Sequence, residues 1–264
     1  MKPFDCHCHI NDPAFNADRD KVIADSKKVL SGIVVVGSNP KSNRKILELK
    51  EKYPDFIFAG YGIHPTDAHE FSDKEVDDEI KWIKKQNPAC IGEVGLDMFW
   101  VKMKLPKEIG IKKADEAWEK QKKLFEKFIK LAKELDSPIN IHSRWATKQV
   151  IELLEKNKAK KVILHAFSGS LAEGKRAVNL GYKISIGNTI AFAEQKKELA
   201  EHLDIKDILL ETDSPCLSAK QGERNVPANV LAVAKEIAKI KKISESKVIE
   251  ETNKNFREMF NVKT

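Results

Sequence analysis

The run Pro3-Phe4-Asp5-Cys6-His7-Cys8-His9 reads as a short β-strand whose polar groups recur with period two. Successive side chains on an extended chain point to opposite faces. Asp5, His7 and His9 are therefore expected on one face, with the small thiols of Cys6 and Cys8 on the other. The same geometry argues against a zinc knuckle made from Cys6, His7, Cys8 and His9 together, because neighbouring side chains on a strand do not converge on one ion. Two imidazoles at the end of a strand are the pattern to follow along the chain.

That pattern belongs to a regular alternation. Further strand candidates are Gly32–Gly37, Phe56–Ile63, Ala89–Val94, Pro138–His142, Lys161–His165, Tyr182–Ile186 and Asp207–Glu211. Helical patterns lie between them, among them Asp18–Leu30, Lys41–Lys52, Lys74–Gln86 and Glu116–Leu135. Ser72-x-x-Glu75 is a capping box that opens the third of these. Eight β/α units within 264 residues, with no Pro/Gly linker and no break in composition, predict one (β/α)8 TIM-barrel domain over residues 1–264; an open doubly wound sheet is the alternative. Ser244–Phe260 carries Val248, Ile249, Thr252, Phe256 and Phe260 on one face and predicts an extra C-terminal helix packed on the barrel.

A chain that is 41% hydrophobic and 33% charged is neither a disulfide mini-protein nor a disordered tail. It has no run of 18 apolar residues and no apolar leader, so a cytoplasmic protein with no membrane contact is expected. The cysteines Cys6, Cys8, Cys90 and Cys216 lie in apolar runs without a C-x-x-C pair and read as reduced, buried thiols. A formal net charge of +7 is a weak pointer to nucleic acid, since Lys-rich helix surfaces give the same balance.

The histidines carry more information than the charge. Five of the seven (His7, His9, His64, His142 and His165) fall at strand C-termini, where a barrel gathers its catalytic groups, and Glu93 and Asp213 fall there too. His69 and His202 read as surface residues. So many ionisable groups around one cavity are costly to bury, and a divalent cation offsets that cost by satisfying imidazole and carboxylate lone pairs together. Asp97 to Asp115 is too long for an ordinary βα connection and is read as an insertion on the catalytic face, either a lid or binding loop or an inert excursion.

The motifs stand in this order: Asp5-Cys-His7-Cys-His9, Gly62-Ile-His64-Pro65, Ile91-Gly-Glu93-Val-Gly-Leu-Asp97, Ile141-His142-Ser-Arg144, His165-Ala-Phe-Ser168-Gly169-Ser170, Glu211-Thr-Asp213-Ser-Pro215, Arg224-Asn225-x-Pro227 and Asn255-Phe-Arg-x-x-Phe260. Together they resemble the TatD-type metal-dependent deoxyribonucleases of the amidohydrolase-like barrel superfamily, and the resemblance spans the chain. Trp145 where the family usually has an acid, Val226 where it commonly has Glu, and the insertion after Asp97 are departures. They bear on substrate choice.

The resemblance implies two divalent ions, Mg²⁺, Mn²⁺ or Zn²⁺, with Glu93 bridging. His7, His9, Glu93 and Asp213 would hold one, and Glu93, His142 and His165 the other. It implies hydrolysis of DNA phosphodiesters by a metal-activated water, as a 3′ exonuclease on single strands or 3′ ends, with no stable protein partner. In that reading Glu93 and Asp213 are catalytic as well as ligating. Asp213 would take the proton of the water, and His64 would orient the nucleophile, protonate the leaving oxygen or simply make a structural hydrogen bond. Asp5 is expected to accept from a ligating imidazole. Arg144, Arg224 and Ser168 are the candidate phosphate-binding groups, the serine equally readable as part of a helix cap. Trp100 and Trp145 are candidates for base stacking or for rim packing. Two other readings keep the barrel: a metal-dependent amide, ester or lactone hydrolase, and a non-catalytic RNA-binding scaffold.

Overall fold

The computed structural model describes residues 1–220 and 222–262. All eight expected strands form, as β1 (Phe4–Cys8), β2 (Gly32–Val36), β3 (Ile57–Tyr61), β4 (Cys90–Asp97), β5 (Ile139–Arg144), β6 (Val162–Leu164), β7 (Lys183–Ile186) and β8 (Ile208–Leu210). Each pairs in parallel with the next, in sequence order, and the sheet curls into a nearly closed TIM barrel. The helices between them are α1 (Arg19–Val29), α2 (Pro40–Lys52), α3 (Asp73–Gln86), α4 (Leu105–Ile109), α5 (Ile111–Glu134), α6 (Thr147–Lys156), α7 (Leu171–Asn179), α8 (Glu194–His202) and α9 (Val230–Lys241). The extra helix is α10 (Glu245–Phe260). Ser72 and Glu75 form the expected capping box on α3, each side chain satisfying the other's backbone N–H. Among the described residues no helix is long and apolar enough to cross a membrane.

The barrel closes where β1 meets the segment after β8. His9 N–H donates to the Ser214 carbonyl at 2.7 Å, and Asp213 N–H donates to the His7 carbonyl at 2.9 Å. Asp5 completes the seam. Its carboxylate accepts the Thr212 hydroxyl at 2.6 Å, the Thr212 N–H at 3.0 Å and the His7 N–H at 3.2 Å. This corrects the expectation that Asp5 serves an imidazole: the donors within its reach belong to the backbone and to Thr212, and they use both of its oxygens.

Strict alternation along β1 also fails. The register of β1 on β2 shifts between Asp5 and Cys8, and an irregularity of that kind reverses which face a residue occupies. Cys6 therefore packs with Phe4, Val34, Val36, Cys90, Ile163 and Leu209, whereas Cys8 packs with Ile33 and Val35 in the cluster that meets the helices. The two thiols do not share a face. A second irregularity lies between Ile91 and Val94 of β4, and Gly95, just beyond it, has a φ of +142°. A Cβ there would lie 2.0 Å from the His142 carbonyl oxygen, so only glycine lets β4 approach β5 this closely.

The segment 97–115 is structured. Trp100–Lys104 makes a π-helical turn, α4 follows, and α5 begins at Ile111, earlier than the expected Glu116. Val101, Leu105, Ala114 and Ala117 form a small core of their own against Trp100 and Trp118. At the other end of the barrel α10 supplies Phe256, which stacks on Phe4 at a centroid distance of 4.0 Å and on Phe260 at 4.4 Å. Phe256→Ala removes a fully buried ring from the base of the barrel; chemical denaturation should show a loss of about 3–5 kcal/mol.

Candidate metal centre

Every residue proposed as a metal ligand is delivered to the C-terminal mouth, the six of them by five strands. His7 lies in β1 and His9 just past it, Glu93 in β4, His142 in β5, His165 after β6 and Asp213 after β8. His64 follows β3 on the same rim. The organising group is Glu93, nearly fully buried, whose two oxygens face different partners. Oε2 lies 3.3 Å from His9 Nε2 and 3.5 Å from His7 Nε2. Oε1 lies 3.0 Å from His142 Nδ1, 3.1 Å from His165 Nε2 and 3.4 Å from His64 Nε2.

The first of these sets fits a cation. His7 Nε2, His9 Nε2, Glu93 Oε2 and Asp213 Oδ1 stand 3.2–3.5 Å from one another in every pair measured. Four donors about 2.0–2.2 Å from a tetrahedral ion would be roughly 3.3–3.6 Å apart. Two imidazole nitrogens facing each other at 3.2 Å gain nothing from each other as lone pairs; a shared positive charge is what makes the approach favourable.

The outer ring nitrogens sort the histidines into two kinds. His7 Nδ1 faces Asn140 Oδ1 at 2.9 Å, His9 Nδ1 faces the Val36 carbonyl at 3.1 Å, and His142 Nε2 faces Asp97 Oδ2 at 3.0 Å. His165 Nδ1 faces Glu211 Oε2 at 3.4 Å but makes no hydrogen bond there, an open position among otherwise satisfied groups. An outer acceptor holds the ring proton outward and leaves the inner lone pair free for a metal. His64 is the reverse. Its Nδ1 accepts the Thr66 N–H at 3.2 Å and lies 2.6 Å from the Thr66 hydroxyl, so the neutral ring carries its proton on Nε2, facing the cavity. His64 is built as a donor into the site.

Without metal the cluster behaves as interlocked ion pairs. Burial raises Glu93, but the facing His64, His165 and His7 outweigh it and hold the carboxyl well below its usual range. Burial lowers His165, yet Glu93 and Glu211 reverse this and lift it to about 10. His7 goes the other way, lowered by burial and by the neighbouring His165.

The other candidates are distributed unevenly. Arg144 and Ser168 line a cavity of about 480 Å³ with His9, His64, Glu93 and Asp213. Arg224 does not reach that cavity wall. It is held bidentately by Asp18 at 2.6 and 2.9 Å, donates to the Ala14 carbonyl, and lies over the Phe15 ring. Trp100 sits against His69 at 5.0 Å, which leaves that histidine half-buried instead of at the surface; His202 is exposed as expected. Trp145 is exposed at the mouth. Cys6, Cys8 and Cys90 are buried free thiols, but Cys216 is exposed because it follows Asp213 into the loop after β8.

Sequence reasoning passed over Asn140, Asp97 and Glu211. A signal was present for two of them: Asn140 and Glu211 stand two residues before His142 and Asp213, the spacing that keeps side chains on one face of a strand.

A parallel eight-stranded barrel with histidines and carboxylates converging at its C-terminal mouth is the architecture of metal-dependent hydrolases. This chain belongs to the TatD family: the profile described as "TatD related DNase" matches residues 4–261. It is similar to human "Deoxyribonuclease TATDN3", with 36% identity over 97% of this chain and 93% of that one. It is similar also to the "Uncharacterized metal-dependent hydrolase MJ1582" of Methanocaldococcus jannaschii, with 35% identity over 98% of this chain and 97% of the other. The solved structure of the TatD homologue YJJV from Escherichia coli superposes with a TM-score of 0.86 at 28% identity, covering 98% of both chains.

Two outcomes test the centre. Asp97→Ala frees His142 Nε2 and should weaken divalent-metal binding about 10–100-fold in a competition titration with a chelating dye. Protons and metal also compete for the imidazoles. His165 in the metal-free protein has its pKa raised from 6.5 to about 10, so the stability it contributes is present below 6.5 and is lost as pH rises toward 10. The melting temperature of EDTA-treated protein should therefore fall across that window, and calorimetry in buffers of different ionisation enthalpy should show metal binding releasing protons.

Proposed function

We propose that the protein is a divalent-metal-dependent phosphodiesterase that shortens DNA from the 3′ end, acting on unpaired strands. The observation that carries this reading is the division of Glu93, with Oε2 turned to His7 and His9 and Oε1 turned to His142 and His165. A carboxylate with an imidazole set on each oxygen is what a bridge between two cation positions requires. His7, His9, Glu93 and Asp213 would hold one ion, and Glu93, His142 and His165 the other. Bound there, Mg²⁺, Mn²⁺ or Zn²⁺ supplies Lewis acidity toward a phosphoryl oxygen and acidifies water.

The chain's own groups do the rest. Asp213, kept ionised by its hydrogen bond with His9 and by the facing His165 and His7 against the effect of burial, accepts the proton of the attacking water. His64, with the Nε2–H of its neutral ring directed into the cavity, donates a hydrogen bond that stabilises the charge on the departing sugar oxygen, which takes its proton from solvent water. Arg144 and Ser168, both on the cavity wall, orient the non-bridging oxygens. A barrel mouth admits a chain end more readily than a continuous duplex, and family membership together with the named activity of the human relative supports DNA as the polymer.

A 5′-labelled single-stranded oligonucleotide incubated with Mg²⁺ or Mn²⁺ should give a descending ladder. EDTA and Glu93→Ala should each abolish it, and a 3′-terminal phosphorothioate should delay it. Cleavage that persists in Glu93→Ala, or shortening from the 5′ end, would overturn the assignment. Elemental analysis of gently purified protein identifies the resident ion.

A further inference from the structure

The mouth of the barrel is chemically divided. Over β1–β3 the cavity beside Glu93 is polar, lined by Asn11, Ser38, Lys41, Lys45 and Thr66. Over β5–β8 the rim is apolar. Trp145, Phe192 and Leu217, which follow β5, β7 and β8, leave 59%, 59% and 39% of their surfaces in solvent. A second cavity of about 440 Å³, walled by Thr189, Phe192, Pro215 and Ser218, shares Cys216 and Leu217 with the cavity that holds the metal-ligand cluster. The apolar rim is thus continuous with the candidate active site.

These side chains are exposed at a cost. Trp145 and Leu217 have φ of +56° and +49°, a region that bulky residues avoid and that persists where the surrounding structure imposes it. Trp145 is also braced from behind. Phe99 meets its indole edge-to-face at 4.9 Å, and the Arg144 guanidinium lies 3.8 Å over the Phe99 ring. A braced, solvent-facing indole beside a guanidinium on the wall of a phosphodiesterase cavity is a platform for a flat, apolar group attached to a phosphate.

We infer that a single-stranded polynucleotide crosses the β5–β8 side of the mouth, with unpaired bases stacked on Trp145 and Phe192 and the backbone phosphate between them and Glu93. The inference rests on the phosphodiesterase reading above and adds the path of the strand. Bases in a duplex are stacked on one another and offer no free face, so this rim selects unpaired ends. Stacking is indifferent to base identity, so little sequence preference is expected.

The test is binding in EDTA, where no turnover occurs. A short single-stranded oligonucleotide should quench tryptophan fluorescence, and the same sequence as a duplex should bind more weakly. Trp145→Phe should remove most of the quenching and retain affinity to within a few-fold. Trp145→Ala and Phe192→Ala should each raise Kd about five- to hundredfold. Abasic residues placed one at a time along the oligonucleotide should cost the wild-type protein a similar factor at the position over Trp145, and cost Trp145→Ala nothing further there. Unchanged Kd in both alanine variants, or an equal abasic penalty in wild type and variant, overturns the path. If the metal-loaded protein still cleaves the oligonucleotide, the phosphodiesterase reading survives that result. Failure to cleave any oligonucleotide removes that reading and this inference with it.

Discussion

One buried carboxylate governs the architecture. Glu93 is almost without solvent, and an isolated charge in that position would be prohibitively expensive. Five imidazoles surround it, within 3.5 Å, and they come from β1, β5 and the segments after β1, β3 and β6. No local stretch of chain can assemble that shell. It exists only when the sheet has closed, so the strand order, the close approach of β4 to β5 at Gly95 and the Asp5–Thr212 seam are all conditions for the site as much as for the fold.

The shell is specified one layer further out. Asn140, the Val36 carbonyl and Asp97 hold the outer protons of His7, His9 and His142, and Glu211 stands behind His165 while accepting the Ala166 N–H at 2.7 Å. These contacts turn chemically identical rings into oriented lone pairs. His64 has no carboxylate, amide or backbone carbonyl on its Nδ1, which receives the Thr66 backbone N–H instead. Position in sequence alone leaves its role open among several; the direction of one hydrogen bond distinguishes it from the histidines proposed as ligands.

The sequence made the strands and the strand-terminal histidines legible because both follow local rules, period two and the polarity of a βα unit. What it hid depends on contacts between distant segments. The separation of Cys6 from Cys8 follows from a register shift against β2, which no property of residues 3–9 announces. The insertion after Asp97 folds because Val101 and Leu105 meet Ala114 and Ala117, a small apolar set diluted by lysines in the linear chain. Asp5 resembles a support for a ligand until Thr212, more than two hundred positions away, brings it two donors.

Arg224 shows how such a long-range contact changes a functional reading. A guanidinium near the loop after β8 is a natural phosphate candidate, but Asp18 lies before α1 and meets it with both oxygens, with the Phe15 ring beneath. This pair ties the segment after β1 to the segment after β8. The same two segments carry His9 and Asp213, whose Nε2 and Oδ1 are 3.4 Å apart. An exposed ion pair adds little to global stability. Its effect here is geometric: it ties together the two loops that bring His9 Nε2 and Asp213 Oδ1 close to each other, and it leaves Arg144 as a guanidinium on the wall of the cavity itself.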